Sequence, residues 1–222
     1  MTENPRRYHH GDLRNALLAA TEELLVERGA EGFSLREVAR RAGVSHGAPA
    51  HHFPNRRALL EAYAARSFTQ LVRYVTDRVA STQVTDLRGL LVAMCEGYVS
   101  FALEHPARFE IMFRRDLFDA EGLEMRAASQ QSWVALVGVV DGCVKVGVLE
   151  PEAARIVTVQ CWSLIHGFAS LWNSGWLGAQ IGDVDVRELV DAMCRFTIWR
   201  DMPGPRRAPV EVAAAGGGER SA

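Results

Sequence analysis

The sequence predicts an all-α protein. Apolar residues recur at helical spacing over long stretches, glycine and proline punctuate those stretches, and no segment alternates apolar with polar residues ahead of a hairpin turn. About nine helices are expected, in a small three-helix N-terminal unit and a larger C-terminal one. At 222 residues, 48% hydrophobic and 23% charged, the chain can bury a sizeable core without metal or disulfide staples.

The first helix places Leu13, Leu17, Ala20, Leu24 and Leu25 on one face, with Asp12 favouring its start and Arg28-Gly29 ending it. In Phe33-Ser34-Leu35-Arg36-Glu37-Val38, Ser34 and Glu37 can form a capping box while Phe33 packs on Val38. That short helix runs to Arg41, Gly43 makes the turn, and Ser45 is expected to cap another short helix reaching about His52. Phe53-Pro54-Asn55 breaks the chain and restarts it as a long helix with Leu60, Tyr63, Leu71 and Val75 inward. Further helices are expected at about Thr85–Glu104, Pro106–Arg115, Leu123–Val146, Glu152–Trp172 and Val184–Trp199. This divides the chain into a basic arm (1–9), a small N-terminal unit (10–57, with its paired short helices at about 34–53), a helical body (58–202) and a disordered tail (203–222) rich in Gly, Ala and Pro.

Composition narrows the function classes. Cys95, Cys143, Cys161 and Cys194 are far apart in sequence, with no C-x-x-C pair and no Cys/His cluster at zinc spacing, so free buried thiols are expected and neither a metal nor a cofactor is implied. Reduced thiols and the lack of an apolar leader among the first thirty residues fit the cytoplasm. The longest uncharged stretch, Ile156–Trp172, contains Thr158, Gln160, Ser163 and His166 and reads as a helix buried in protein, not a membrane span. The net charge of −2 is uninformative, but residues 1–57 hold nine Arg against seven acidic residues and five of the seven His.

Two short helices joined by a glycine turn are too short to stand alone in water, so packing must hold them. Small Ala39 ahead of Gly43, with Val38 and Val44 on either side, suits close packing at a sharp turn: helix-turn-helix grammar. The second helix would read the major groove, with short Ser45, Gly47 and Ala48 allowing close approach and His46 and His51 projecting. Helix starts at Ser34, Ser45 and Asn55, the last next to Arg56 and Arg57, offer N–H groups to phosphate. The arm Arg6-Arg7-Tyr8-His9-His10 can track the minor groove.

Residues 10–60 resemble the TetR family of repressors. The string Leu35-Arg36-Glu37-Val38-Ala39-Arg40-Arg41-Ala42-Gly43-Val44-Ser45 and, after it, His51-His52-Phe53-Pro54-Asn55-Arg56-Arg57-Ala58-Leu59-Leu60 carry the resemblance. It implies DNA contacts by Ser34, Arg36, Ser45, His51 and Arg56, with His46, Gly47 and Ala48 facing base edges. Arg56 stands where the family usually has Lys, and Ala50 where an aromatic is common. Pro49 lacks an N–H and crowds the Ser45 carbonyl, so an irregular start to the reading helix is expected.

Residues 98–113 and Trp162-Ser163-Leu164-Ile165-His166-Gly167, with Gly147-Val148-Leu149-Glu150-Pro151, resemble a TetR subgroup carrying Trp-x-x-x-His-Gly in its C-terminal domain. A mostly apolar pocket for a small hydrophobic effector is expected there, lined by Tyr98, Phe101, Met112, Phe113, Trp133, Trp162 and His166, with Gln130 and Ser163 as further polar groups. The last two long helices, with a seam of Val186, Leu189, Val190, Met193 and Phe196, are expected to form a symmetric homodimer. The resulting expectation is a repressor released from a palindromic double-stranded DNA operator by its ligand. The rivals are an all-helical enzyme acting through His166, which lacks any nucleophile motif or phosphate loop, and a ligand-free architectural DNA-binding protein.

Overall fold

Helix boundaries fall largely where capping residues put them. The computed structural model describes residues 10–84, 86–182 and 184–197; the basic arm 1–9 and the tail 203–222 lie outside the described residues. Among the described residues there are nine α-helices and no strand. α1 (His10–Arg28) takes in Asp12 in its first turn, and α2 (Leu35–Arg41) opens with the complete Ser34–Glu37 capping box. α3 (Arg56–Ser81) starts at Asn55, whose side chain accepts from the Ala58 N–H at 3.0 Å. α4 (Leu87–Glu104) is capped by Asp86 and runs through His105 into α5 (Pro106–Phe113), where Pro106 fills the first position without wasting a donor. α6 (Leu123–Lys145), α7 (Ala154–Asn173), α8 (Trp176–Ile181) and α9 (Val186–Thr197) follow. The six-residue α8 was not anticipated: Gly175, at φ 78°, turns the chain and lets Trp176 begin a new helix where the sequence reads as a loop.

α3 is the axis of the molecule. Its N-terminal end packs on α1, and the rest of its length packs on α4, α5 and α6, while α4 also meets α7 and α9. Gly97 permits the close α3–α4 approach, since a Cβ there would lie 3.4 Å from Val75. One continuous apolar cluster runs from Leu17, Leu24 and Val38 through Leu59 and Leu60 to Leu71, Leu91, Phe101, Ile111 and Phe118, all at most 1% exposed. Each such side chain contributes about 1.5–3 kcal/mol on burial. The N-terminal unit is therefore fused to the body through a shared core rather than tethered to it.

One expectation needs correction. Ser45 does not cap an α-helix: the segment is a 3-10 turn over Ala48–His51 preceded by Gly47, with no side-chain cap. Pro49 has no N–H to give the Ser45 carbonyl, which accepts instead from Ala48 at 3.0 Å, so the turn tightens to i→i+3 bonding. The α9 seam is also used in part within the chain. Val190 and Cys194 are buried, and Val186, Leu189 and Met193 pack on the chain's own core; only Phe196, 78% exposed, points away.

Candidate DNA-reading head and ligand cavity

The α2–Gly43–Ala48 segment is held by backbone chemistry more than by side-chain bulk. Gly43, at φ 68°, closes α2 in a Schellman motif: Val44 N–H bonds the Ala39 carbonyl at 3.0 Å and Gly43 N–H the Arg40 carbonyl at 3.2 Å. Val38 and Ala39 are fully buried beneath it. Ser34, Arg36, Ser45, His46, Gly47 and His51 are exposed, Ala48 is half-buried, and Pro49 is buried as the wedge that seats the turn. Ser34 N–H and hydroxyl both donate to Glu37, at 2.8 and 3.0 Å, and with Arg28 at 2.7 Å they hold this carboxyl below the usual range. The acid at the start of α2 is thus neutralised by its neighbours.

Arg56, the first residue of α3, lies half-buried with its guanidinium 5.0 Å above the Phe33 ring. Its buried Nε and Nη2 have no hydrogen-bond partner among the described residues, and burial lowers its pKa. An anion at the α3 N-terminus would satisfy those donors.

A belt of polar contacts pins this head to the body. Arg14 pairs with Glu124 at 2.8 Å, Arg108 with Glu22, and Arg114 with Glu31 at 3.1 Å, while Arg57 donates to the Asp116 carbonyl at 3.2 Å. Three of the four contacts land on residues 114–124, the α5–α6 connection and the start of α6.

Behind that connection lies a cavity of about 700 Å³ between α3, α4, α5, α6 and α7. Its walls are apolar for the most part: Phe68, Leu71 and Val75 on α3, Met94 on α4, Leu136 and Val139 on α6. Of the residues expected there, Tyr98, Met112, Phe113, Trp133 and Trp162 line it. Phe101 does not; it is sealed in the core with its ring against Tyr74 and His105, at 5.7 and 5.1 Å between centroids. Gln130 faces a shallow groove on the outer side of α6, and Ser163 is exposed away from the cavity.

His166 stands just behind the wall. Its Nδ1 lies 3.0 Å from the Tyr98 hydroxyl, and its ring lies 4.4 Å from that of Phe113. The Tyr98 hydroxyl and His166 Nδ1 share one hydrogen bond, whose donor is set by the imidazole tautomer. Burial drives the His166 pKa down and the Tyr98 pKa up, which keeps both neutral near pH 7. His166 therefore positions the Tyr98 hydroxyl at the cavity wall. What the sequence could not supply was the charged end of the cavity: Arg115, Glu121 and Arg126.

Residues 17–63 match the family described as "Bacterial regulatory proteins, tetR family", and residues 91–197 match "Tetracyclin repressor-like, C-terminal domain". The regulator PksA of Bacillus subtilis is 37% identical over 83 residues, covering 37% of this chain and 38% of that protein. BetI of Yersinia pestis is 36% identical over 84 residues, covering 38% and 42%. The chain thus spans about two-fifths of the length of these curated relatives. A solved structure of a protein with unknown function from Rhodococcus sp. RHA1 is 34% identical, with a TM-score of 0.77 over 90% of this chain and 99% of that one. A TetR family transcription regulator from Marinobacter aquaeolei VT8, 20% identical, shares the fold at a TM-score of 0.63, over 82% of this chain and 93% of its own. A small three-helix head on a larger all-helical body is the architecture that both family matches share. The chain belongs to the TetR family of bacterial regulators.

Proposed function

We propose that the chain is a homodimeric transcriptional repressor that leaves a palindromic operator when a small hydrophobic effector fills the cavity behind the α5–α6 connection. The observation that carries this reading is the shared helix α3, whose first residue lies beside the DNA-reading turn and whose middle turns wall the cavity. Ser34, Arg36, Ser45, His51 and Arg56 would hold phosphate, with His46, Gly47 and Ala48 over base edges. In this reading the head comprises residues 10–57 and the body 58–202, and the spacing of Trp162, His166 and Gly167 supports assigning the body to the Trp-x-x-x-His-Gly subgroup.

Dimerisation would use the outer face of α7 together with the exposed face of α9, the last two long helices. Ile156, Val159 and Leu171 are 60%, 47% and 51% exposed, and among the described residues nothing lies within 4 Å of where a Cβ at Gly167 would point, which leaves room for a partner helix. Two heads would then stand about 34 Å apart, one DNA turn. Among the described residues no helix is long and apolar enough to cross a membrane, and the four cysteines are free, which suits work in the cytoplasm.

The test is titration of the full chain onto a fluorescent duplex from upstream of its own gene, against a scrambled duplex at matched salt. A preference of about tenfold or more, lost in His46→Ala, is expected for a specific reader. Equal affinity for both duplexes at every salt would reduce the chain to an architectural DNA binder or a non-binder.

A further inference from the structure

We infer that the effector is an amphipathic anion, such as a chain carboxylate, with its apolar chain in the cavity and its head group at Arg115 and Arg126. The inference rests on the reading of the cavity as the effector site and adds the ligand's chemical class.

The cavity is a slot, not a sphere. Its α3 wall runs from Phe68 to Ala80 and its α6 wall from Met125 to Val139. At 1.5 Å per residue these walls are about 18 and 21 Å long, the reach of an extended chain rather than a compact ring system. The two helices run the same way, since Gly122 before α6 lies against Glu61 of α3, and Gly142 near its end lies against Leu87 just beyond α3. One end of the slot is therefore Val79, Ala80, Leu90 and Val139, entirely apolar.

All charged lining residues sit at the other end: Arg115, Glu121 and Arg126. Arg115 pairs with Glu121 at 2.9 Å, while Arg126 is exposed and makes no ion pair among the described residues. Among the residues that line the slot, two guanidinium groups face one carboxylate. A carboxylate cannot follow its chain into the apolar slot without losing hydration, so it stays at the mouth, where guanidinium N–H groups give charge-assisted hydrogen bonds. Each methylene buried in the slot adds about fourfold in affinity.

The location also supplies the coupling. Arg115 lies between Arg114, which pairs with Glu31 of the head, and Asp116, whose carbonyl accepts from Arg57. A head group that draws Arg115 off Glu121 moves the connection that pins the head to the body.

The test measures binding of dodecanoate, dodecanol and dodecyltrimethylammonium to the full chain, all below their micelle concentrations, by calorimetry and by the fluorescence of Trp133 and Trp162 in the cavity wall. Dodecanoate is expected to bind about tenfold or more tightly than dodecanol, with the cation weakest. Arg126→Gln alone, and Arg115→Gln with Arg126→Gln, are expected to bring dodecanoate down toward dodecanol and leave dodecanol unchanged. Both arginines are exposed, and circular dichroism checks that the variants fold. If dodecanol binds as tightly as dodecanoate, the anionic head is wrong while the cavity reading stands. If none of the three binds, the cavity reading fails and this inference goes with it.

Discussion

The head and the body solve opposite problems. Around α2 the chain fixes a rigid reading surface with a capping box, a glycine in the left-handed region and a buried proline, and Val38 and Ala39 beneath it are fully covered. The body builds long helices around a void of about 700 Å³ and leaves apolar side chains such as Trp133 partly exposed at its rim. Local geometry is specified tightly where DNA would be read, and packing is left incomplete where a ligand would enter. That difference predicts how each region responds to substitution.

The largest contrast lies within the body. Phe101→Ala, in solid core, is expected to cost about 3–5 kcal/mol in chemical denaturation, because it opens a new hole. Trp133→Ala, on a wall that already faces empty space, should cost within about 1 kcal/mol. Equal losses would mean that the cavity wall is packed as tightly as the core. Next comes Gly43→Ala in the head: a Cβ at φ 68° meets no neighbour, so the cost is backbone strain alone, about 1–2 kcal/mol, and operator affinity should fall with it. A neutral result in both assays would show that the turn relaxes freely.

A smaller effect is expected at the seam between the regions. A double-mutant cycle on Arg14 and Glu124, which are 36% and 55% exposed, should give a coupling below about 1 kcal/mol that shrinks with salt. A larger, salt-insensitive coupling would make the seam a rigid joint rather than a movable one. The smallest expected effect is a pH dependence from His166. Its folded pKa is depressed from 6.5 by burial, so the unfolded chain binds the proton more readily. This contribution is complete above 6.5 and is lost as pH falls through the lower folded value. His105 carries the same sign. Melting temperatures from about pH 7.5 to 5 should therefore fall less steeply in His166→Gln than in the parent chain.

The same contrast explains what could be read from the sequence. Signals in the head are local: Ser34 and Glu37 are three residues apart, Gly43 follows α2 directly, and Asn55 caps α3, so each could be placed without tertiary information. The departure there was also local, because Pro49 converts the expected reading helix into a 3-10 turn. In the body, an aromatic at helical spacing looks alike whether it fills core or lines a cavity. Phe101 and Phe113 are twelve residues apart, on successive helices, yet only Phe113 reaches the slot. The α9 seam was visible as apolar, but its partial use against α4 depends on how the chain folds back. No local pattern in the sequence marks Arg115 and Arg126 as cavity residues; the fold of the α5–α6 connection and the start of α6 brings them there.

The central claim is that the two regions exchange free energy, and linkage tests it most directly. The affinity for operator DNA would be measured with and without saturating dodecanoate, and the affinity for dodecanoate with and without operator. The account predicts that dodecanoate weakens DNA binding and that DNA weakens dodecanoate binding by the same factor. Operator affinity unchanged at saturating dodecanoate would contradict it, leaving a DNA-reading head beside a cavity that does not control it.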